Sequence, residues 1–333
     1  MPEESPLVEA QKQFTAALPF RAMPGETIPL AEAAGRILHE DLVAPEAIPP
    51  YPRVIVEGFL VHTAATEGAA EDSPVTFDIV GEVMPGDSAC PDFLPGQALR
   101  VATGSIVSDQ PLSVVRMWEA RVEGQQVTIT RPFPPRFFIE EQGCDIQQGA
   151  TVLEAGSRLT TMDIGNIASL GIDTLSVARR PRVTVFSSGD EVIPYTEPMK
   201  PGAIRDSNSV MLCAAIDAAG GEAAFAGIMK DDFDHFAATL KQALQDADMA
   251  VISGGTAVGG RDFISDLLRA VGELIVDGVP MRSGRPLIMG VAEGKPIVCV
   301  AGHPPEALRG FRLFGVAALD RITGHQAGLP ADD

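Results

Sequence analysis

From residue 181 onward the chain runs strand, loop, helix, repeatedly, and this alternation constrains the fold more than any other feature. RVTVFSSG is an apolar run of strand length. Asp206, Ser207 and Asn208 then offer helix-start chemistry before MLCAAIDAAGG, and Gly220-Gly221 offers a stop. AAFAGIM is the next strand. Asp231 and Asp232 open a helix with Phe233, Phe236, Leu240 and Leu244 on one face. MAVISGG, FISDLLRAVG, KPIVCVAG and PEALRGFRLFGVAALDRITG continue the series as strand, helix, strand and helix. Strands alternating with helices at this spacing predict a mostly parallel sheet with helices on both faces.

Upstream the rhythm differs. Residues 1–45 hold an amphipathic helical stretch, then AEAAGRILHEDL, where Ala34, Ile37, Leu38 and Leu42 recur at helical spacing and predict a second short helix. Residues 46–144 are rich in Pro and Gly, with β-like runs at FDIVGEV, ALRVA and SVVRMWEARVEGQQVTIT. Glu123-Gly124 is the expected turn in the last of these. In 143–171, Thr161 is expected to cap a helix through Ile164, Ile167 and Leu170 that Gly171 ends. The expected fold class is therefore α/β multidomain. A helical connecting domain is built from 1–45 and 145–178, a small β domain spans 46–144, the parallel-sheet α/β domain spans 179–324, and 325–333 is a tail.

The formal net charge of -20 repels nucleic acid and anionic membranes, and no Lys/Arg run offers a local exception. An anionic substrate would need a local basic patch or a bound cation. No apolar run approaches the ~20 residues of a membrane span, and MPEESPLVEAQKQF does not read as a secretory signal. Cys90, Cys144, Cys213 and Cys299 form no CxxC pair, so neither a zinc site nor a disulfide framework is indicated, and a reducing cytoplasm is the expected setting.

In an open α/β sheet, ligands bind at the carboxyl ends of the strands. SSGDE (187–191), Asp231-Asp232, SGGTAVGGRD (253–262) and AGHP (301–304) each follow a strand there. The glycine-rich stretch can bring backbone N–H groups close to an anion; a tight structural turn reads the same way. It is not a Walker A loop, since no GK[ST] follows. Glu191, Asp231, Asp232 and Asp262 can hold a divalent cation through hard oxygens, or three of them can simply cap helices. Arg282 and Arg285 can clamp an oxyanion, or be plain surface arginines. His303 reads as catalytic or, more ordinarily, as structural. His39, His62, His235 and His325 have no metal-ligand spacing, and no GxSxG elbow is present.

SSGDEV, PGAIRDSNSVML, the Asp231-Asp232 pair, ISGGTAVGGRDF, MRSGRPL and AGHPPEAL stand in the order and spacing of the molybdenum-cofactor-biosynthesis domain. LAEAAGRILHEDLVAPEAIPPY, PGQALRVATGS, GCDIQQGATVLEAG and IASLGIDTLSVARRPRV look like the N-terminal part of MoeA. Over nearly its whole length the chain resembles the molybdopterin molybdenumtransferase family, of the MoeA and gephyrin E-domain type. The resemblance implies insertion of molybdate, or tungstate, into adenylylated molybdopterin with release of AMP and use of Mg2+. It implies a homodimer and an upstream molybdopterin-adenylylating protein as donor. As alternatives it admits an impaired molybdopterin or nucleotide carrier, or a non-catalytic dimeric scaffold.

Carried over residue by residue, the resemblance implies catalytic roles for Glu57, Asp262 and Glu191. It implies substrate contacts from Thr103, Asp145, Gly254, Gly255, Gly259, Arg282, Arg285 and His303, and metal ligation by Glu191, Asp231, Asp232 and Asp262. The departures fall at these places. The family's DNSAMDGYA reads PRVIVEGFL here, with Pro52 and Val54 for an Asp and a Ser, and the longer Glu57 for the second Asp. GGVSVGE becomes GGTAVGG, losing a hydroxyl at Ala257 and an acid at Gly260. PGNP becomes AGHP, Glu140 replaces an arginine, and Arg282 and Arg285 stand where the family usually has lysines. The family's small C-terminal β domain is not expected after Gly324.

Overall fold

The computed structural model describes residues 5–19, 22–254, 263–281 and 284–325. The chain divides into two compact units, Met1–Glu40 with Glu154–Gly165 and Asp173–Asp333, and Asp41–Leu153 with Asn166–Ile172.

The first unit is built on a six-stranded sheet in the order Glu222–Met229, Arg182–Ser188, Met249–Gly254, Lys295–Val300, Gly284–Ala292, Glu273–Met281. The first four strands are parallel. The last two form an antiparallel hairpin that continues the sheet. Apolar residues on neighbouring positions of one strand point to opposite faces, and both faces are covered. Val183, Val185, Met249, Val251, Val298 and Val300 meet one cluster with Leu212, Ile216 and Phe311. Phe186, Ala250, Ile252, Ile297 and Cys299 meet the other, with Phe236, Leu240, Leu244 and Leu267. Each fully buried Val, Leu, Ile, Phe or Met among them contributes about 1.5–3 kcal/mol by area. Helix Pro6–Ala17, opened by Ser5 and Pro6, packs Leu7 and Phe14 onto the first face, with Leu18 just beyond its end. Gln11 anchors it by donating to the Leu313 carbonyl at 3.0 Å.

The crossings set the site. From Arg182–Ser188 the chain passes through helix Asn208–Ala218 to the outer strand Glu222–Met229. It then crosses back through helix Phe233–Asp246 on the other face to Met249–Gly254. Arg182–Ser188 and Met249–Gly254 are neighbours whose onward connections run to opposite sides, so their carboxyl ends flank a topological switch point.

The second unit is a six-stranded sheet in the order Leu112–Arg116, Gly58–His62, Gln97–Val101, Val75–Val83, Gln126–Ile129, Arg121–Glu123, with both sides buried. Gln126 pairs with Glu123, so the hairpin turn is Gly124-Gln125, one residue beyond the expected Glu123-Gly124, and Gly124 takes φ 60°.

Three expectations are corrected. AEAAGRILHEDL is not a helix. Leu30–Glu32 forms one 3-10 turn, Gly35 takes φ 77°, and Ile37 and Leu38 bridge to Arg158 and Val177 as extended chain. The helix Thr161–Ser169 starts where expected, but Thr160 caps it: its hydroxyl accepts from the Asp163 N–H at 3.2 Å while Asp163 accepts from the Thr160 N–H at 2.8 Å. The segment 273–292, where no strand pattern is visible in the sequence, is the antiparallel hairpin. No helix among the described residues is long and apolar enough to cross a membrane.

Candidate functional site

The switch-point crevice gathers polar groups that the fold does not satisfy. Ser187 and Ser188 end one strand, each 3% exposed, and neither hydroxyl has a hydrogen-bond partner among the described residues. Asp206 lies at the approach to helix Asn208–Ala218. One of its oxygens accepts from the Ser209 N–H at 3.0 Å, and Oδ2 is buried without a partner. Asn208 donates its amide to Ser253 Oγ at 2.7 Å and to the Gly302 carbonyl at 2.8 Å, tying the helix start to the ends of two strands. Its Oδ1 is also left unpartnered. Buried polar groups are nearly always paired, and these atoms, at the carboxyl end of Arg182–Ser188 and the start of the helix that follows it, have no partner among the described residues. Gly254 closes the floor at φ 90°, where a Cβ would come within 2.6 Å of the Ser188 carbonyl oxygen; the two strand ends can approach only because no side chain stands there.

Acidic groups lie beside this crevice. Asp231 has a buried, unpartnered Oδ1. Its pKa is raised, first by burial and then by the neighbouring charges of Asp190 and Glu191, while Lys230 opposes the rise. The Lys230 ammonium donates to the Asp190 carbonyl at 2.8 Å and to those of Gly189 and Val192 at longer range, holding the 189–192 loop. Asp232 is the N-cap of Phe233–Asp246, accepting from the His235 N–H at 3.0 Å.

The raised Asp231 value fixes a sign. At low pH the carboxyl is protonated in both the folded and unfolded chain and contributes nothing. As pH rises past the ordinary carboxylate value the unfolded chain ionises first, so folding is penalised, fully so above the raised folded value. Asp231→Asn is therefore expected to melt at a higher temperature than the parent chain at pH 7 in chelator, with the gap closing near pH 3. Equal shifts at both values in differential scanning calorimetry would contradict this.

Of the other residues singled out from sequence, Gly255, Gly259, Asp262 and Arg282 lie outside the described residues. Arg285 belongs to the hairpin. Its guanidinium donates to the Gly278 carbonyl at 2.7 Å and the Asp277 carbonyl at 3.2 Å, on the outermost strand of the sheet. His303 is the exposed N-cap residue of Pro304–Gly310 and makes no capping bond through its ring.

Glu57, Thr103 and Asp145 fall in the second unit, on segments that are stitched together. Arg53–Val54 pairs with Ile139–Glu140, Gly104 N–H donates to the Val54 carbonyl at 2.7 Å, and Val54 N–H donates to the Ser105 carbonyl at 2.9 Å. Thr103 sits exposed at the tip of that turn, and Glu57 is exposed three residues beyond Val54. Arg53 pairs with Glu140 at 2.9 Å and lies 4.0 Å from Asp145. The guanidinium thus comes from the strand opposite the position where the family carries an arginine.

Sequence reasoning took Asp206 and Asn208 for helix-start residues and did not single out Ser187, Ser188 or Asp190 within SSGDE. The signal was present as polar residues ending an apolar strand, but their lack of partners is visible only in three dimensions.

Comparison with known proteins agrees with this layout. Residues 5–171 match the MoeA N-terminal region (domain I and II), and residues 184–321 match the probable molybdopterin binding domain. The chain is 32% identical over 310 residues to molybdopterin molybdenumtransferase 2 of Mycobacterium tuberculosis, covering 91% of this chain and 76% of that one. It is 30% identical to the molybdopterin molybdenumtransferase of a Nostoc species, covering 91% of this chain and 70% of that one. Among solved structures, the molybdopterin biosynthesis moeA protein from Pyrococcus horikoshii OT3 superposes with a TM-score of 0.81 at 28% identity, over 97% of this chain and 80% of that one. With two family models side by side along the sequence and relatives matched over nine-tenths of it, the chain belongs to the molybdopterin molybdenumtransferase family.

Proposed function

We propose that the chain works in molybdenum cofactor biosynthesis by inserting molybdate, or tungstate, into adenylylated molybdopterin with release of AMP. The observation that carries this is the set of unpartnered buried atoms at the switch point: Ser187 Oγ, Ser188 Oγ, Asp206 Oδ2 and Asn208 Oδ1. Two hydroxyls, a carboxylate and an amide carbonyl suit a heterocycle that donates several N–H groups and accepts others. The family names supply the pterin, and the crevice supplies groups that can hold one.

Magnesium belongs to this reading. Asp190 and Glu191 lie close enough to Asp231 for their charges to raise its pKa, and hard carboxylate oxygens of this kind suit a divalent cation that would relieve the repulsion. Asp231 and Glu191 would hold the ion, which would supply positive charge against an anionic nucleotide, and Lys230 fixes the loop that carries Asp190 and Glu191. We further take the chain to be a homodimer, the commonest closed assembly, to receive its substrate from a molybdopterin-adenylylating protein, and to act in the cytoplasm, where its four free cysteines suit a reducing compartment. Light scattering should return twice the chain mass of 35.1 kDa.

The carrier reading, binding without turnover, is favoured by one observation: the Arg53–Glu140 pair alters the charge layout around Asp145. Calorimetry with a molybdopterin nucleotide tests the shared part of both readings. Asp206→Asn keeps an oxygen for the Ser209 N–H but turns the orphan acceptor into a donor. Binding at least tenfold weaker is expected; equal affinity would remove the crevice as the pterin site.

A further inference from the structure

The segment 189–193 carries Glu191 and is paired with the chain that enters Asp206, so its backbone joins the acidic cluster to the switch-point crevice. On one edge, the Glu191 carbonyl accepts from the Ile204 N–H at 2.8 Å and the Ile193 carbonyl accepts from the Asp206 N–H at 2.8 Å. These bonds flank the short parallel ladder of Val192–Ile193 with Ile204–Arg205. The alternate carbonyls, those of Asp190 and Val192, lie off that ladder, and they too need partners. Among the described residues no further strand pairs with Val192–Ile193. The Lys230 ammonium stands in for one. It donates to the Asp190 carbonyl at 2.8 Å, to Val192 at 3.3 Å and to Gly189 at 3.4 Å.

A lysine ammonium has three N–H donors, and three carbonyls face this one, so none is left over for a phosphate oxygen. The lysine is itself placed by the sheet. It directly follows strand Glu222–Met229, where Met229 pairs with Ser188, and the Met229 carbonyl accepts from the Gly189 N–H at 3.1 Å. The segment is therefore held from both sides just beyond the serines that end Arg182–Ser188. The side chain of Glu191 shares this frame. Gly189 takes φ 145°, and a Cβ there would stand 2.8 Å from either carboxylate oxygen of Glu191, so that carboxylate lies folded against the held backbone.

We infer that Lys230 is a positioning residue: it keeps Glu191 and Asp206 in register through the backbone of 189–193 and does not touch the ligand. Its effect on turnover rests on the cation and pterin-nucleotide reading proposed above; the backbone latch does not. Without the ammonium, the carbonyls of Asp190 and Val192 turn to water. Lys230 and Asp190 are exposed, so this exchange costs little stability. Water does not tie the segment to the outer strand, however, and the two carboxylates then drift relative to each other.

The test compares the full parent chain with Lys230→Met and Lys230→Arg. In the chain alone, amide hydrogen exchange is followed at Ile204 and Asp206, whose N–H groups report the ladder. Lys230→Met should exchange about tenfold faster at both, as a local opening does, with an unchanged melting temperature. Lys230→Arg keeps a cation with N–H donors and should restore protection. Amides of Gly58–His62, in the other unit, should not change. Equal protection in Lys230→Met and the parent overturns the inference whether or not the chain turns over. Faster exchange throughout the α/β unit, with a lowered melting temperature, would make Lys230 a plain structural contact and also overturn it. With adenylylated molybdopterin, magnesium and molybdate, kcat for AMP release should fall about tenfold in Lys230→Met at an unchanged KM, as a misplacement of reacting groups predicts, and recover in Lys230→Arg. A raised KM at unchanged kcat would make Lys230 a direct ligand contact and overturn the positioning role. A parent chain that releases no AMP would count against the proposed function, and the exchange measurement would still decide the latch.

Discussion

Gly58→Ala is expected to destabilise the six-stranded β unit by about 3 kcal/mol or more, at the upper end of what overpacking costs. Gly58 opens the strand Gly58–His62, which is paired on both sides. A Cβ there would stand 2.0 Å from the Val115 carbonyl oxygen and 2.9 Å from its carbon. The obstacle is backbone on the neighbouring strand, so no rotamer change relieves it. Either the strands part, losing ladder hydrogen bonds, or the unit does not form. Domain stabilities are about 5–15 kcal/mol in total, so the variant should show a clearly earlier melting transition. An unchanged urea or thermal profile would show that the strand spacing described here is wrong.

Asn208→Ala is expected to have the largest effect on function. Its amide joins Ser253 Oγ and the Gly302 carbonyl, and through them the ends of two strands at the crevice. Removing it leaves buried acceptors unpaired, at about 1–3 kcal/mol. It also frees the end of Met249–Gly254, which carries Ser253 and Gly254, and the segment that leaves Lys295–Val300. Since a misplacement near 1 Å can cost about a hundredfold in rate, AMP release should fall by about that factor in a variant whose circular dichroism still shows a folded chain. Comparison of rate at saturating nucleotide with nucleotide affinity separates the two contributions. A folded Asn208→Ala chain with unaltered rate would detach the crevice from the chemistry.

The α/β unit was legible wherever period and burial coincide. Val183, Val185 and Phe186, or Val251 and Ile252, alternate between two buried faces, and such strands read as continuous apolar runs. The hairpin 273–292 was not, because Gly278 and Pro280 interrupt its first strand and Gly278 takes φ 84°. Arg285 reads from sequence as an anion clamp because it flanks a glycine in MRSGRP; the structure adds that its guanidinium donates to the Gly278 carbonyl. Ala34, Ile37, Leu38 and Leu42 fit a helix by spacing alone; Gly35 and the bridges of Ile37 and Leu38 override it, as tertiary pairing often overrides local pattern. The edge on which ligands would fall followed from strand order. The atoms that would hold them did not, because a missing partner is a property of the packed molecule.

The measurement that bears most directly on the central claim mixes the purified chain with adenylylated molybdopterin and magnesium, adds molybdate or tungstate, and follows AMP. The account predicts release that requires one of the two oxyanions and falls at least tenfold in Asp206→Asn. Tight retention of the nucleotide with no AMP released under either oxyanion would contradict it and leave a carrier that binds the pterin without turning it over.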